Sequence, residues 1–105
     1  MDHATLDLIE KAVRSKRVCR AAFEGEEGSR LIHPYGIFRT KKGIFMLAVW
    51  QESSYNELMD KELTPGFRNF PLNSCEWIEI TDRIFLVNQQ FNPEANIYNE
   101  WVYHV

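Results

Sequence analysis

The chain has 105 residues, enough for one domain and too few for a second. Its composition, 45% hydrophobic and 26% charged, is that of an ordinary globular protein and excludes a disordered chain. A net charge of −3 argues against a broad nucleic-acid-binding surface, although a local basic patch is compatible with it.

The chain opens with a predicted amphipathic helix over residues 4–16. Leu6, Ile9 and Val13 recur at helical spacing on one face, and charged residues occupy most other positions. Two basic residues close the helix, where cations complement the negative end of the helix dipole. The period then changes to that of strands.

Three short strands are predicted next, over residues 18–23, 30–32 and 37–39. A charged turn with two glycines separates the first two, and Pro34 ends the second. A Lys-Lys-Gly turn follows the third strand and supplies a glycine for positive φ.

The strand predicted over residues 44–50 is the most apolar segment, and we expect it at the centre of the sheet. It is far too short to cross a bilayer. The N-terminus lacks the basic and apolar parts of an export signal. These features predict a cytoplasmic protein with no membrane partner.

The polar stretch 51–66 has no clean period and is predicted to be an irregular connection with a short helical turn near 56–61. Two more strands are predicted after it, over residues 67–72 and 75–81.

The C-terminal extension, residues 88–105, carries conflicting signals. Asn92, Pro93 and Glu94 supply a cap, a first-turn proline and an acid, and helical spacing continues after them. Aromatic and β-branched content favours a strand, but we predict a helix. Its aromatic residues either cover the open edge of the sheet, the alternative we favour, or serve as exposed interface anchors.

One leading helix and about five short strands with tight turns predict a mainly β, α+β fold: a small, strongly bent antiparallel sheet or barrel. The sequence is predicted to form a single domain over residues 1–105. The helix would cover about 4–16, the sheet about 18–87 and the extension 88–105.

Two sequence elements occur in a characteristic order. The first is Arg-x-Ile-x-Pro-Tyr-Gly-Ile at 30–37, and the second is Phe-Arg-Asn-Phe-Pro-Leu at 67–72. Between them, Phe-Met-Leu-Ala-Val at 45–49 follows a glycine turn. Together these elements resemble the WYL domain family, and the resemblance runs from about Leu6 to Phe91.

The resemblance implies a five-stranded barrel of the SH3 or Sm type and a regulatory rather than catalytic role. Such domains usually follow a helix-turn-helix domain in bacterial transcriptional regulators, some linked to phage defence. They sense nucleic acids or nucleotide-like ligands in a basic, aromatic-lined groove. Met46 stands where the family has a tyrosine, and Ser74 where it tends to have a basic residue. No helix-turn-helix segment precedes the resemblance, so we expect action through a partner or by ligand binding alone.

Arg68 is the leading candidate for a ligand contact. Strand alternation places it on one face with Phe70 and Leu72. An arginine in such surroundings is either part of a structural ion pair or a ligand for phosphate, because its planar fork donates two parallel hydrogen bonds. The resemblance favours the second alternative.

Four further residues complete the candidate site. Arg30 and Arg39 flank the Pro-Tyr-Gly turn, and Tyr35 and Phe45 supply rings that stack bases or form a wall. The alternative is structural: Tyr35 closes the barrel, Arg30 is equally open to either role, and the two lysines of the following turn only solubilise its tip.

No residue set predicts catalysis, a cofactor or a metal. His33 has no ligand-type neighbour at metal spacing, and no serine lies in a nucleophile-elbow context. Cys19 and Cys75 lie far apart and are predicted to be buried thiols rather than a disulfide. We therefore predict a protein that is not an enzyme.

The sequence thus predicts a regulatory module that binds an anionic ligand, a single-stranded nucleic acid or a nucleotide. The alternative is a protein-interaction module that docks a partner or a second copy of itself and has no nucleic-acid ligand.

Overall fold

The structure, a computed structural model, describes residues 2–105. Its elements in chain order are α1 (His3–Ser15), β1 (Arg17–Phe23), β2 (Arg30–Arg39), β3 (Phe45–Gln51), β4 (Ser54–Asn56), β5 (Lys61–Leu63), β6 (Gly66–Pro71), β7 (Cys75–Ile84) and β8 (Glu100–His104). A 3-10 turn, Leu72–Ser74, joins β6 to β7. The prediction of a mainly β fold with one leading helix is confirmed.

Capping hydrogen bonds determine where helix α1 begins and ends. The side chain of Asp2 accepts a hydrogen bond from the backbone N–H of Thr5 at 2.8 Å and caps the first turn. Lys16 adopts a left-handed conformation, with φ of 53°, and its N–H bonds to the last helical carbonyls. The buried face carries Ile9, Ala12 and Val13, so the helix packs on the sheet through the predicted stripe.

The main sheet is antiparallel and follows the order β6-β3-β2-β1-β7. Strand β2 is long enough to pair with β1 through its first half and with β8 through its second half. Strands β4 and β5 form a separate hairpin. The sheet has six strands. Within residues 2–105, β6 and β7, the strands at the two ends of this order, do not pair with each other. The sheet therefore does not close into the five-stranded barrel that was expected.

The prediction that Pro34 ends a strand is wrong, since β2 runs through it. The pairing of β2 with β3 shifts register between Pro34 and Gly36, which is a β-bulge. A bulge tolerates a residue that cannot donate to the ladder, and Pro34 is buried together with the four residues that follow it. The two short predicted strands are therefore one bent strand.

The prediction of an irregular connection with a helical turn over 56–61 is also wrong. This stretch contains the hairpin of β4 and β5. Asn56 shapes its turn: its side-chain oxygen accepts from the N–H groups of Leu58 at 3.1 Å and Met59 at 3.2 Å. Its amide donates to the carbonyl of Glu27 at 2.7 Å, which fixes the hairpin against the preceding loop.

The predicted C-terminal helix does not form. Asn92 starts only short turns, in which its side chain accepts from the N–H of Glu94 at 3.0 Å. The chain then becomes β8 and pairs with the free second half of β2. The aromatic and β-branched residues suit this strand better than a helix, and an unpaired strand edge was available nearby.

Two buried clusters lie on the sheet. The helix-side core lies between α1 and the sheet, and its side chains are mostly aliphatic. It consists of Ile9, Ala12, Val13, Cys19, Ala21, Phe23, Ile32, Ile37, Leu47, Val49, Leu72, Cys75 and Ile78. The aromatic core consists of Val18, Tyr35, Phe38, Ala48 and Phe85, with Phe67, Phe91, Tyr98 and Trp101 packed against it. The C-terminal extension thus folds back over the sheet. No helix in the described chain is long and apolar enough to span a membrane.

Candidate functional site

Arg68 lies on edge strand β6, with Phe70 on the same face as alternation predicts. Its guanidinium turns back onto the first residues of the strand and onto Thr64, which precedes the strand. Nη1 donates to the carbonyl of Phe67 at 2.8 Å, and Nη2 donates to the Thr64 hydroxyl at 3.0 Å and carbonyl at 3.3 Å. These contacts use at most three of five N–H donors, so at least two remain for a ligand.

The charge of Arg68 is not compensated. Among residues 2–105, no carboxylate lies within ion-pair distance of its guanidinium. The structural ion pair, one of the two alternatives for Arg68, is therefore not what the structure shows. The side chain is half-buried and anchored by neutral acceptors, which hold its position while leaving the full positive charge at the surface.

Arg30 has the opposite environment. Its Nε donates to Glu26 Oε2 at 2.8 Å, and Nη2 bonds to the other oxygen of the same carboxylate. The guanidinium also lies 5.2 Å from the ring centroid of Phe70 and is only 11% exposed. Because its charge is paired with Glu26 and its side chain is nearly buried, Arg30 is placed as a structural residue beside the site.

A hydrogen-bonded chain connects the two arginines. Nη1 of Arg30 donates to the side-chain oxygen of Gln51, and the amide of Gln51 donates to the carbonyl of Thr64 at 2.8 Å. That carbonyl also accepts from Arg68. Gln51 is 2% exposed, so this buried amide is the fixed link. Sequence reasoning missed Gln51 and Thr64, because both lie where the pattern loses its period.

Gly66 leaves room for the guanidinium of Arg68, because it has no side chain. A Cβ on Gly66 would lie 2.7 Å from Nη1 of Arg68, and Gly66 has a φ of +153°. Both the space and the backbone conformation therefore favour glycine. Substitution at Gly66 would push the guanidinium away from Thr64.

Tyr35 lies inside the aromatic core instead of facing a ligand. Its ring is 1% exposed and stacks on Phe85 at 5.6 Å between centroids. Its hydroxyl accepts a hydrogen bond from the backbone N–H of Asn88 at 2.8 Å. Burial raises the pKa of this hydroxyl, an effect that the Asn88 bond partly offsets. The structure thus places Tyr35 where the structural alternative had it.

Phe45 and Arg39 lie together but far from Arg68. They pair across β2 and β3, whereas Arg68 pairs with Val49 on the same β3. Four residues of strand separate the two positions, roughly 13 Å at about 3.3 Å per residue. The structure therefore does not bring the five predicted residues into one groove.

His33 belongs to a small charged cluster that the sequence did not reveal. Its Nε2 lies 2.6 Å from Glu52, and Arg83 binds the same carboxylate at 2.9 and 3.2 Å. The ring stacks on Phe85 at 4.8 Å. Burial alone would raise the pKa of Glu52, but hydrogen bonds from Arg83 and His33 outweigh it and hold the pKa below its ordinary value.

The cysteines are free and buried, which confirms the prediction of thiols without a disulfide. Burial raises the pKa of Cys19 to about 12 and that of Cys75 to about 11, so both stay protonated near neutral pH. No group of three or more metal-ligating side chains forms within the described chain.

Comparisons of the chain with protein-family models, with curated proteins and with solved structures found no match.

Proposed function

We propose that this chain is a WYL-like regulatory module of the cytoplasm that binds an anionic ligand through Arg68. The ligand class is a single-stranded nucleic acid or a nucleotide, which share the phosphate that a guanidinium recognises. The observation that carries the proposal is the uncompensated, anchored charge of Arg68, which contrasts with the paired charge of Arg30.

The site supports one strong phosphate contact in place of a long basic track. Arg68 keeps at least two N–H donors, and three neutral acceptors hold it in place. Arg30 contributes indirectly, through Gln51 and Thr64. A net charge of −3 fits a ligand gripped at one point better than an extended strand bound along its backbone.

The topology supports the family resemblance on which this proposal draws. The resemblance implies a bent SH3- or Sm-like sheet after a leading helix, and the first long strand β1 does lie beside the last strand of the main path, β7. We propose that the six strands are a barrel of this type, left open at one side and extended by β8.

The test is fluorescence anisotropy with a short labelled single strand at low salt, with duplex and an unlabelled mononucleotide as competitors. We expect Arg68→Ala to weaken binding about tenfold or more, as loss of one charged hydrogen-bonding contact does. The slope of log affinity against log salt should fall by about 0.7, the value for one phosphate on a single strand.

Arg39→Ala is the matched control, because Arg39 is an exposed arginine at the end of β2 and pairs with the end of β3 that lies away from Arg68. It should leave affinity within about twofold of wild type, since one distant surface charge contributes little at ordinary salt. Equal losses of affinity in the two variants would show that only the net charge of the protein matters, which would contradict the proposal. Absence of binding to strand and nucleotide alike would refute it.

A second candidate function is self-association through a groove between α1, β3 and β8. Phe45 and Val102 line it and are 47% and 55% exposed. Asp7 and Glu10 add acid on the helix side, and the lysine-rich turn before Phe45 adds a cationic surface nearby. A patch with both signs suits a two-fold interface, in which each turn faces the acids of the other copy.

Light scattering during gel filtration tests this second candidate. We expect a dimer for the wild type and a monomer for Phe45→Ser, while Leu58→Ser, an exposed apolar residue outside the groove, should remain dimeric. A wild-type monomer at high protein concentration would refute it. Trp101, one of the aromatic residues of the C-terminal extension, packs on Phe38 at 5.6 Å and is not the anchor here.

A further inference from the structure

A second concave site lies on the opposite face of β6 from Arg68. It is a cavity of about 340 Å³ between the strand and the C-terminal extension, lined by Phe67, Asn69, Gln90, Phe91, Asn92, Ala95, Ile97 and Tyr98. Its volume is at the lower end of the roughly 300–1,000 Å³ of small-molecule sites. Most of the lining residues belong to the segment 90–98. This segment lies against the sheet because β8, which follows it, pairs with β2.

The floor of this amide–aromatic pocket is formed by three rings. Phe67 and Phe91 lie 6.4 Å apart with planes tilted by 35°, and Phe91 meets Tyr98 edge-on at 5.8 Å. The three rings are half-buried and held from behind, because Phe67 packs against Trp50 at 4.9 Å and Tyr98 against Phe38 at 5.0 Å. Such a floor presents fixed π-faces to a flat ligand.

Three side-chain amides stand around these rings. Within the described chain, the amides of Asn69 and Gln90 make no side-chain hydrogen bond, and Asn92 uses only its oxygen, toward Glu94. Asn69 is half-buried beside Phe67 on the same face of β6, while Gln90 and Asn92 are exposed at the rim. Each amide offers a donor pair and an acceptor at the edge of an apolar floor.

None of the eight lining residues is charged. The pocket therefore has no charged side chain to form an ion pair with a phosphate, a carboxylate or an ammonium group. It does have what a neutral, planar molecule with alternating donors and acceptors on its edge requires. Protein sites that read unstacked bases combine the same two parts, a ring face for stacking and side-chain hydrogen bonds to the base edge.

We propose that this amide–aromatic pocket binds a nucleobase. The base stacks on the exposed ring faces of the floor, and the amides of Asn69 and Gln90 bond to its edge. Adenine is the preferred base, because an asparagine or glutamine amide matches its N6 donor and N7 acceptor in a bidentate pair. The proposal does not rest on Arg68, since the pocket holds the base whether or not a phosphate is attached.

The experiment is a titration of isotope-labelled protein with adenosine, a nucleoside that carries no phosphate, followed by two-dimensional amide NMR. The side-chain NH2 signals of Asn69 and Gln90 report directly on the proposed contacts. We expect both to shift in a saturable way. Asn69→Ala and Gln90→Ala should each weaken binding about two- to tenfold, as the loss of one neutral hydrogen bond does.

Matched variants and ligands make the result decisive. Asn73→Ala removes an exposed asparagine outside the pocket and should leave the affinity unchanged. Arg68→Ala should also leave adenosine binding unchanged, which separates this site from the phosphate site. Indole has a ring but no matching edge, so it should bind more weakly than adenosine.

Three results would overturn the proposal: no shift up to the solubility limit of adenosine, equal binding of indole and adenosine, or loss of adenosine binding in Arg68→Ala. Because adenosine carries no phosphate, an affinity for the single strand that does not depend on Arg68 would contradict the phosphate site and leave this result standing. Conversely, a failure of adenosine to shift these signals would contradict the pocket and leave the Arg68 site standing, so the two proposals fail separately.

Discussion

The helix-side core and the aromatic core pack on the same sheet yet are built in different ways. The helix-side core is mostly aliphatic and is covered by α1, which precedes every strand in the chain. The aromatic core is a set of rings covered by the C-terminal extension, the last segment of the chain. Phe38 of β2, for example, meets Trp101 of β8, more than half the chain length away.

This difference shows how one sheet acquires two faces of different character. Aliphatic packing under a helix depends on volume and burial, and it leaves little polar surface. Ring packing under an irregular segment leaves gaps at its margin, and the amide–aromatic pocket is one of them. The extension therefore completes the core and forms a candidate binding site with the same residues.

The largest expected effect compares one substitution in each core. We expect Phe38→Ala to lower the free energy of unfolding by about 3–5 kcal/mol and Leu47→Ala by about 2–5 kcal/mol, because both side chains are fully buried. Phe38→Ala should also reduce the near-UV circular dichroism, since Tyr98 and Trp101 pack edge-on against its ring. Leu47→Ala should largely preserve that signal. Equal loss of the aromatic signal in both variants would contradict two separately packed cores.

A substitution of intermediate effect targets the attachment of the extension. At Gly36 an added Cβ would lie 2.3 Å from the carbonyl oxygen of Tyr103, which is backbone and cannot turn aside. We expect Gly36→Ala to displace β8 and to cost about 1–3 kcal/mol, the usual range for overpacking. Hydrogen exchange should show lost protection in β8 with intact protection between β1 and β7. Uniform loss across the sheet would show that the extension is not a separable layer.

The smallest expected effect concerns the ionic cluster at Glu52, beside the aromatic core. Because the folded pKa of Glu52 lies below its unfolded value, its contribution is present above the unfolded pKa and is lost as the pH falls through the folded one. We expect Glu52→Gln to cost about 1 kcal/mol or less near neutral pH, since Arg83 is well exposed. Urea unfolding of both proteins between about pH 3 and pH 7 should show the difference vanishing in acid. A constant difference across this range would exclude Glu52 as its source.

The hydrophobic period of the sequence was sufficient to predict the elements whose pattern is regular from end to end. Helix α1 lies within one residue of its predicted bounds, and the apolar strand β3 has neighbours on both sides. The wrong predictions occur at residues that are compatible with two different local structures. Pro34 ends most strands but is accommodated in a bulge, and Asn92 starts a turn that never becomes a helix.

The candidate site was predicted only in part, for a related reason. Alternation placed Arg68 correctly on the face of Phe70, and the absence of a carboxylate partner came from the tertiary structure. Arg30 looks equivalent in the sequence, yet a loop brings Glu26 against it. Charge pairing depends on which side chains meet in space, and sequence spacing outside a helix does not report that.

The amino-acid sequence by itself determined the leading helix, the mainly antiparallel sheet and the buried cysteines, because period and hydrophobicity act over a few neighbouring residues. Only the tertiary structure decided that the C-terminal extension is a strand and a pocket wall, that Tyr35 is interior, and which arginine has a carboxylate partner. Each of these depends on backbone edges, cavities or carboxylates that the folded chain brings together.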